Sequence, residues 1–226
     1  MVTYVQRFPL PCIVTLLVLV LFSSGCASDH DHLRGTVLKS NSRSYDFSLT
    51  DQFGQSRKLT QFQGNVVLLT FLYTNCVDIC PVISDYLKII HQNLETDVEE
   101  VTLIIISVDP EGDTLERTYQ YSVRWEMLHR WLYLIGTREE LEPIWESYFV
   151  SAFADGKQSS GYLTTTSVVQ YSSSRVADLV REIPLKYKVS HSSPIYLIDP
   201  EGRTRVLYTL PLDPNDVVND IKILLN

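Results

Sequence analysis

Two cysteines, Cys76 and Cys80, have the spacing with the clearest chemical meaning in this chain. They follow the apolar run VVLLTFL at 66–72, which predicts a strand buried on both faces. A helical pattern follows, with Pro81 suited to its first turn. A helix N-terminus favours thiolate over thiol. On one helical turn, residues i and i+4 share a face, where two sulfur atoms can bind one metal ion or form a disulfide.

A structural disulfide or two inert buried thiols is the alternative interpretation of this pair. It is the weaker one, because a bond between residues four apart closes a very short loop and constrains little of the unfolded chain. The C-x-x-x-C spacing is one residue wider than the C-x-x-C of redox proteins, and the extra residue suits a metal clamp. The pair therefore predicts metal binding, thiol–disulfide chemistry, or both.

Two thiolates rarely complete a metal site, so we expect a third ligand among the five histidines. Two of these lie at 29–32 (DHDH), which is a solvated linker or a loose divalent-ion site. His91 falls at the solvated end of the helix after the cysteines, and His129 has no evident partner. His191 precedes an apolar segment at 195–198, in a loop that would lie beside the cysteines in a thioredoxin-like fold. From spacing alone, His191 is either a ligand or an ordinary loop histidine.

The elements that must position these residues alternate along the chain. Apolar or alternating runs predict strands at 45–50, 66–72, 101–108, 131–135, 195–198 and 203–210, and helical periodicity predicts helices at 81–94, 114–125, 139–149 and 216–225. This order implies crossover connections and a mixed central sheet flanked by helices. We predict an α/β, thioredoxin-like domain at 45–226, with an extra N-terminal hairpin and a Ser/Thr/Gly-rich insertion at 150–185.

The N-terminal residues read as a targeting segment rather than as part of the fold. Residues 12–22 are an apolar run of signal-peptide length, followed by Ser23, Ser24, Gly25 and Cys26. This looks like a bacterial lipobox, with Ser23 where the pattern usually has Leu. We predict a lipoprotein-type signal peptide at 1–25, acylation of Cys26 and a flexible tether at 26–44. A plain signal or an uncleaved anchor is the alternative. We expect the domain to lie outside the cytoplasm in a bacterial cell envelope, anchored to the membrane by the lipid or by the uncleaved segment.

Charge excludes one class of function. The 226 residues include 19 Lys and Arg against 27 Asp and Glu, a formal net charge of -8. Nucleic-acid binding needs a basic face for phosphate, so we expect no nucleic-acid partner.

Three segments resemble signatures of the Sco/SenC family. FLYTNCVDICP at 71–81 is similar to F-x-Y-T-x-C-x-x-x-C-P, and SVDPEGDT at 107–114 is similar to S-V-D-P-x-x-D-T. VSHS at 189–192 with YLIDPEG at 196–202 resembles V-D-H-[ST] followed by Y-L-I-D-P-x-G. Val77 replaces the common Pro, and Ser190 replaces an Asp that could orient the imidazole of His191.

The resemblance implies a copper protein that helps to assemble the binuclear copper site of cytochrome c oxidase. It implies Cys76, Cys80 and His191 as copper ligands, and Asp109 and Asp113 as residues near the site or the partner surface. Capping of the following helix is an equal alternative for Asp113. Thiolates suit Cu(I) and an added imidazole suits Cu(II), although zinc could also occupy such a set.

Two functions fit these residues. One is a metallochaperone that delivers copper to oxidase subunit II or to another copper-receiving protein. The other is an enzyme, a thiol–disulfide oxidoreductase in which Cys76 attacks and Cys80 resolves. His191 discriminates between them, since disulfide exchange does not require it. A peroxiredoxin is disfavoured because Tyr73 stands where that family has Thr, and a copper or redox sensor without a transfer role stays open.

Overall fold

The computed structural model describes residues 32–39, 43–154 and 189–226. The predicted signal peptide, Cys26 and most of the predicted insertion lie outside these residues. His32–Asn226 forms one compact unit. Within the described residues, no helix has the length and apolar character needed to cross a membrane.

The long apolar runs form the middle of a six-stranded mixed sheet. In chain order the strands are β1 (Thr36–Val37), β2 (Ser48–Thr50), β3 (Ser56–Lys58), β4 (Val66–Leu72), β5 (Val101–Ser107), β6 (Leu132–Leu134), β7 (Ala152–Ala154), β8 (Val189–His191), β9 (Ile195–Ile198) and β10 (Thr204–Tyr208). The main sheet has the order β1-β10-β9-β4-β5-β6. The β4–β5 and β5–β6 pairs are parallel, and the other pairs in this sheet are antiparallel. Every residue of β4 is buried, as expected for a central strand covered on both faces.

Among the residues described, four helices flank the sheet close to their predicted positions. They are α1 (Ile79–Asn93), α2 (Leu115–Arg124), α3 (Arg138–Ser147) and α4 (Pro214–Leu225), with short 3₁₀ helices at Leu59–Phe62 and Glu95–Glu100. Side chains of Thr114, Thr137 and Asp213 cap the first backbone N–H groups of α2, α3 and α4. The predicted fold class, a mixed central sheet flanked by helices, is confirmed.

The predicted N-terminal hairpin is a separate two-stranded sheet made of β2 and β3. Thr50 and Ile135 exchange backbone hydrogen bonds of 3.0 and 2.8 Å, which attach the hairpin beside β6. The buried Gln52 accepts a hydrogen bond from the backbone N–H of Tyr133 at 2.8 Å and donates to the carbonyl of Trp131 at 3.0 Å. The hairpin thus satisfies backbone groups of an edge strand that would otherwise face solvent.

The described part of the segment predicted to be a flexible tether contacts the domain instead. Residues 36–37 form β1, which pairs antiparallel with β10. The backbone N–H groups of Arg34 and Gly35 donate to the carboxylate of Asp220. A Cβ atom at Gly35 would lie 2.4 Å from Cγ1 of Val206, so only glycine permits this approach. Backbone hydrogen bonds hold this segment, and such bonds leave no hydrophobic periodicity in the sequence.

Candidate metal centre

The loop that follows the central strand brings the two cysteines together. β4 ends at Leu72 and α1 begins at Ile79, so Cys76 lies in the turn between them and Cys80 in the first helical turn. The backbone N–H of Cys80 donates to Sγ of Cys76 at 3.4 Å. The two cysteines are not joined by a disulfide. The sulfur atoms therefore meet because the loop folds back onto the helix N-terminus, not because both residues share one helical turn.

Burial dominates the electrostatics of the pair. Cys76 is 2% exposed and Cys80 is 0% exposed. Burial raises the pKa of the Cys80 thiol well above its usual value, and the hydrogen bond and charge of Cys76 raise it further. The thiolate preference expected from the helix N-terminus is therefore outweighed at Cys80. A bound cation would act in the opposite direction, because a metal ion favours the deprotonated ligand.

The buried carboxylate of Asp113 supports the cysteine loop through hydrogen bonds. Its Oδ1 accepts hydrogen bonds from the backbone N–H and the hydroxyl of Thr74, at 3.0 and 2.6 Å. Its Oδ2 accepts from Ser107 Oγ at 2.6 Å and from Tyr133 OH at 3.3 Å. Burial raises the pKa of this carboxyl to about 6. Asp113 thus joins the loop to β5 and β6.

The helix-capping role considered for Asp113 is wrong. Thr114 is the N-cap of α2, and its hydroxyl accepts a hydrogen bond from the backbone N–H of Arg117 at 3.3 Å. The carboxylate of Asp113 is directed into the domain, where Thr74 and Ser107 donate hydrogen bonds to it.

Asp109 shapes the loop between β5 and α2. Its backbone N–H donates to Ser107 Oγ at 3.0 Å, and its Oδ1 accepts from the N–H of Gly112 at 3.0 Å. Its carbonyl accepts from the N–H of Asp113 at 2.8 Å. These contacts fix the backbone that presents Asp113, and at 1% exposure Asp109 is buried. A role of Asp109 at the partner surface stays a prediction.

The backbone of His191 lies at the same end of the sheet as the cysteine loop. Thr70 of β4 pairs with Ile195 of β9, and the Thr70 hydroxyl donates to the carbonyl of Pro194 at 2.9 Å. Cys76 lies six residues beyond Thr70, and His191 lies three residues before Pro194. Three residues span at most about 10 Å. β8 itself pairs with β7, with His191 opposite Ala152.

The structure describes His191 by its backbone alone, so its role as a ligand stays a prediction. Among residues 32–39, 43–154 and 189–226, the described side chains include no group of three or more His, Cys, Asp or Glu that could hold a metal ion. The described part of the candidate centre is therefore the cysteine pair and its supporting hydrogen bonds.

Sequence reasoning did not identify the residues that surround the pair. Thr74 and Ser107 lie within the family-like segments at 71–81 and 107–114, and this location in the sequence could have indicated a role near the cysteines. Tyr121 and Tyr133 are buried, and burial raises the pKa of both phenols. Tyr121 OH hydrogen-bonds with Ser84 Oγ at 2.7 Å, which joins α2 to α1. The sequence gives no signal that a tyrosine on a distant helix or strand lies near the cysteine pair.

Comparisons with known proteins agree with this architecture. A family model described as SCO1/SenC matches residues 37–173. The mitochondrial SCO2 homolog of Bos taurus is 29% identical over 179 residues, which are 78% of this chain and 58% of that protein. The chain thus spans somewhat more than half the length of that relative.

Two solved structures share the fold. ScoI of Bradyrhizobium japonicum, solved with copper bound, has a TM-score of 0.57 at 27% identity and matches 80% of this chain and 98% of its own. BsSco has a TM-score of 0.58 at 22% identity, with 81% and 93% covered. It is described as having a disulfide switch and as a member of the Sco family of cytochrome c oxidase assembly proteins. These likenesses confirm the predicted thioredoxin-like fold.

Proposed function

Since the chain belongs to the SCO1/SenC family, we propose that it binds copper and delivers it to, or prepares the cysteines of, the binuclear copper site of cytochrome c oxidase. The observation that carries this proposal is the pair of buried cysteines, not joined by a disulfide, at the end of the central strand, with Cys80 N–H donating to Cys76 Sγ. The copper-bound structure of the Bradyrhizobium relative and the oxidase-assembly description of BsSco support it.

The proposed copper ligands are Cys76, Cys80 and His191. Sulfur ligands select Cu(I), and an imidazole allows the same set to hold Cu(II). In this proposal copper is the cargo, and the protein's own contribution is to hold the ligands in place. Asp113 performs that positioning, because its bonds to Thr74 and Ser107 connect the loop to β5.

A partner reaches the buried sulfur atoms over a partly exposed rim. Asn75 and Val77, on either side of Cys76, are half-buried, and Asp78 is exposed. The rim is therefore the surface on which a copper-receiving protein would dock before ligands are exchanged. Because the rim residues are only partly buried, incoming ligands can approach one cysteine while the other still holds the ion.

The adjacent sulfur atoms also support a second function, thiol–disulfide exchange. The thiolate of Cys76 would attack a partner disulfide and form a mixed disulfide with it. Cys80 would then displace the second partner thiol, leaving the pair oxidised and the partner reduced by two electrons. The disulfide switch described for BsSco accords with this chemistry. The two functions share residues and can operate in one protein.

Copper titration followed by transfer tests the proposal. The reduced full chain in detergent is titrated with Cu(I) and with Cu(II), beside the variants C76S and C80S. His129→Ala is a matched control, because His129 is exposed and stacks on Phe53 with ring centroids 5.4 Å apart. We expect about one tightly bound copper in the parent and the control, and its loss in both cysteine variants.

The copper-loaded protein is then mixed with an apo copper-A domain of oxidase subunit II. Movement of copper to that domain supports delivery. Tight binding without transfer, together with reduction of an oxidised copper-A domain, favours the oxidoreductase. Binding with neither activity indicates a sensor, and failure to bind copper overturns the proposal.

The layout of the N-terminus is also a proposal. It consists of a signal peptide at 1–25, attachment to the membrane through a lipid on Cys26 or through an uncleaved anchor, and a domain held outside the cytoplasm of a bacterial cell. The apolar run at 12–22 and the small residues before Cys26 support it.

A further inference from the structure

An apolar patch lies on the outer side of α2 and on the turn between β2 and β3. Leu115, Tyr119 and Val123 follow one another at intervals of four residues, so they form one stripe along the helix. Phe53, in the turn, stands edge-on to Tyr119 with ring centroids 6.2 Å apart. A Cβ atom at Gly54 would lie 3.8 Å from Cδ1 of Leu115, so the turn lies against the start of the helix. The stripe and the turn therefore form a single surface.

The side chains of this patch are exposed together. Phe53 is 39% exposed, Leu115 43% and Val123 44%, and Tyr119 is half-buried. Among residues 32–39, 43–154 and 189–226, six large hydrophobic side chains are exposed, and three of the six lie here. Exposed hydrophobic residues are ordinary when they are scattered, whereas a contiguous group is typical of an interaction surface. The patch therefore indicates a place where another apolar surface binds.

Charged side chains flank the stripe in an order that suits a second copy of this chain. Glu116, Gln120 and Arg124 are exposed and form a parallel row, about 100° further round the helix and away from its buried face. Glu116 lies at the start of α2 and accepts a hydrogen bond from Gln120 Nε2 at 2.8 Å. Arg124 lies at the end of α2, and no ion pair between described residues includes it. An acid at one end of a stripe and a base at the other are self-complementary when two such helices run in opposite directions.

We propose that this stripe is an isologous interface, at which two copies of the chain associate through antiparallel α2 helices. A two-fold axis beside Tyr119 brings Leu115 of each copy against Val123 of the other. The same axis brings Glu116 of each copy near Arg124 of the other, so two opposite pairs form. A parallel arrangement would place like charges side by side, which is why we infer the antiparallel one. The inference goes beyond the proposed copper function and does not depend on it.

The net charge of the chain is compatible with this contact. Each copy has a formal net charge of -8, which repels a second copy at long range. At physiological ionic strength, salt screens exposed charges beyond about 8 Å, so the repulsion between distant faces fades. Exposed ion pairs contribute modestly. The apolar side chains therefore supply most of the attraction, and the two charge pairs fix the direction of the helices.

Sedimentation of the full chain in density-matched detergent tests the proposal. Val123→Asp would bury a carboxylate in the interface, so the dissociation constant of the dimer should rise by about tenfold or more. Val37→Asp is the matched control, because Val37 is 50% exposed on β1, at the opposite edge of the main sheet from β6. We expect the parent and the control to form the same dimer.

Charge reversal distinguishes this interface from other routes to a dimer. E116R or R124E alone places like charges together in both pairs, so each should weaken the dimer by about threefold or more. The double variant E116R/R124E reverses both members of each pair and should restore the parent's affinity, although its charges oppose the helix dipole and lower the stability of α2. Denaturant unfolding verifies that each variant is folded. A monomeric parent, or a dimer that V123D and the single reversals leave unchanged, would overturn the proposal.

Discussion

The carboxylate of Asp113 holds Thr74 by two hydrogen bonds, one from its backbone N–H at 3.0 Å and one from its hydroxyl at 2.6 Å. Thr74 lies two residues before Cys76, so this buried acid restrains the start of the cysteine loop. The second carboxylate oxygen accepts from Ser107 and Tyr133. A change in the protonation of one side chain therefore affects a loop and two strands together.

Stability should fall as Asp113 ionises. Burial raises its pKa from 3.8 to about 6 in the folded protein. The folded state therefore binds the proton more tightly, and the resulting stabilisation is complete below about pH 4 and lost as the pH rises through 6. Two pKa units correspond to at most about 3 kcal/mol. Denaturant unfolding between pH 4 and 7 should show this fall in the parent and a flatter profile in Asp113→Asn.

The asparagine variant keeps an acceptor for Thr74, and its amide can donate to Ser107 or Tyr133. It should therefore fold, and the comparison is made on the difference in the free energy of unfolding between the two proteins. The same pH dependence in parent and variant would show that Asp113 does not titrate in this range.

Most of the strands and helices were predictable from the sequence, whereas the hydrogen bonds that support the cysteine loop were not. The run at 66–72 is uniformly apolar because β4 is buried on both faces, so its limits agree with the structure. The segment at 32–38 is held through its own backbone groups, which donate to the side-chain carboxylate of Asp220 and pair with β10, so its own side-chain pattern gives no signal. The role of Asp113 was missed because its partners Thr74 and Tyr133 lie 39 and 20 residues away. Local sequence favours a cap there.

Phe149 should be replaceable by glycine with a gain in stability. It follows α3 with a φ of 54°, in the left-handed position of a helix C-terminus, and its side chain is 87% exposed. The N–H of Val150 donates to the carbonyl of Trp145 at 2.7 Å, which fixes this turn. Phe149→Gly removes the left-handed strain and gives up little packing, so we expect a gain of about 0.5–1 kcal/mol in denaturant unfolding.

Glu126 is the matched control for Phe149. It has a φ of 60° at the corresponding position after α2, but its carboxylate pairs with the largely buried Lys88. Glu126→Gly relieves the same strain and leaves the ammonium group without this partner, so it should stabilise less than Phe149→Gly or destabilise the protein. A loss of stability in Phe149→Gly would show that the phenyl ring packs in solution.

Cys26 should determine membrane attachment. If it is the acylated residue, Cys26→Ala leaves the precursor uncleaved or releases the protein from the membrane fraction of a bacterial host. Fractionation and the intact mass of the product measure this, with Ser24→Ala as a control that keeps a small residue near the cleavage site. Unchanged mass and unchanged attachment would point instead to an anchor formed by residues 8–22.

Replacement of His191 should separate copper delivery from disulfide exchange. His191→Ala removes the proposed imidazole, so Cu(II) affinity should fall by tenfold or more. Cu(I) affinity should fall less, because Cys76 and Cys80 still provide two sulfur ligands for a soft ion. Reduction of a model disulfide should slow only modestly, since the two cysteines complete that exchange without an imidazole. The measurements are Cu(II) and Cu(I) titrations and the rate of disulfide reduction, each made beside the parent and His129→Ala. Unchanged Cu(II) affinity with a collapse of disulfide reduction would contradict the ligand assignment and make the oxidoreductase the better account of the site.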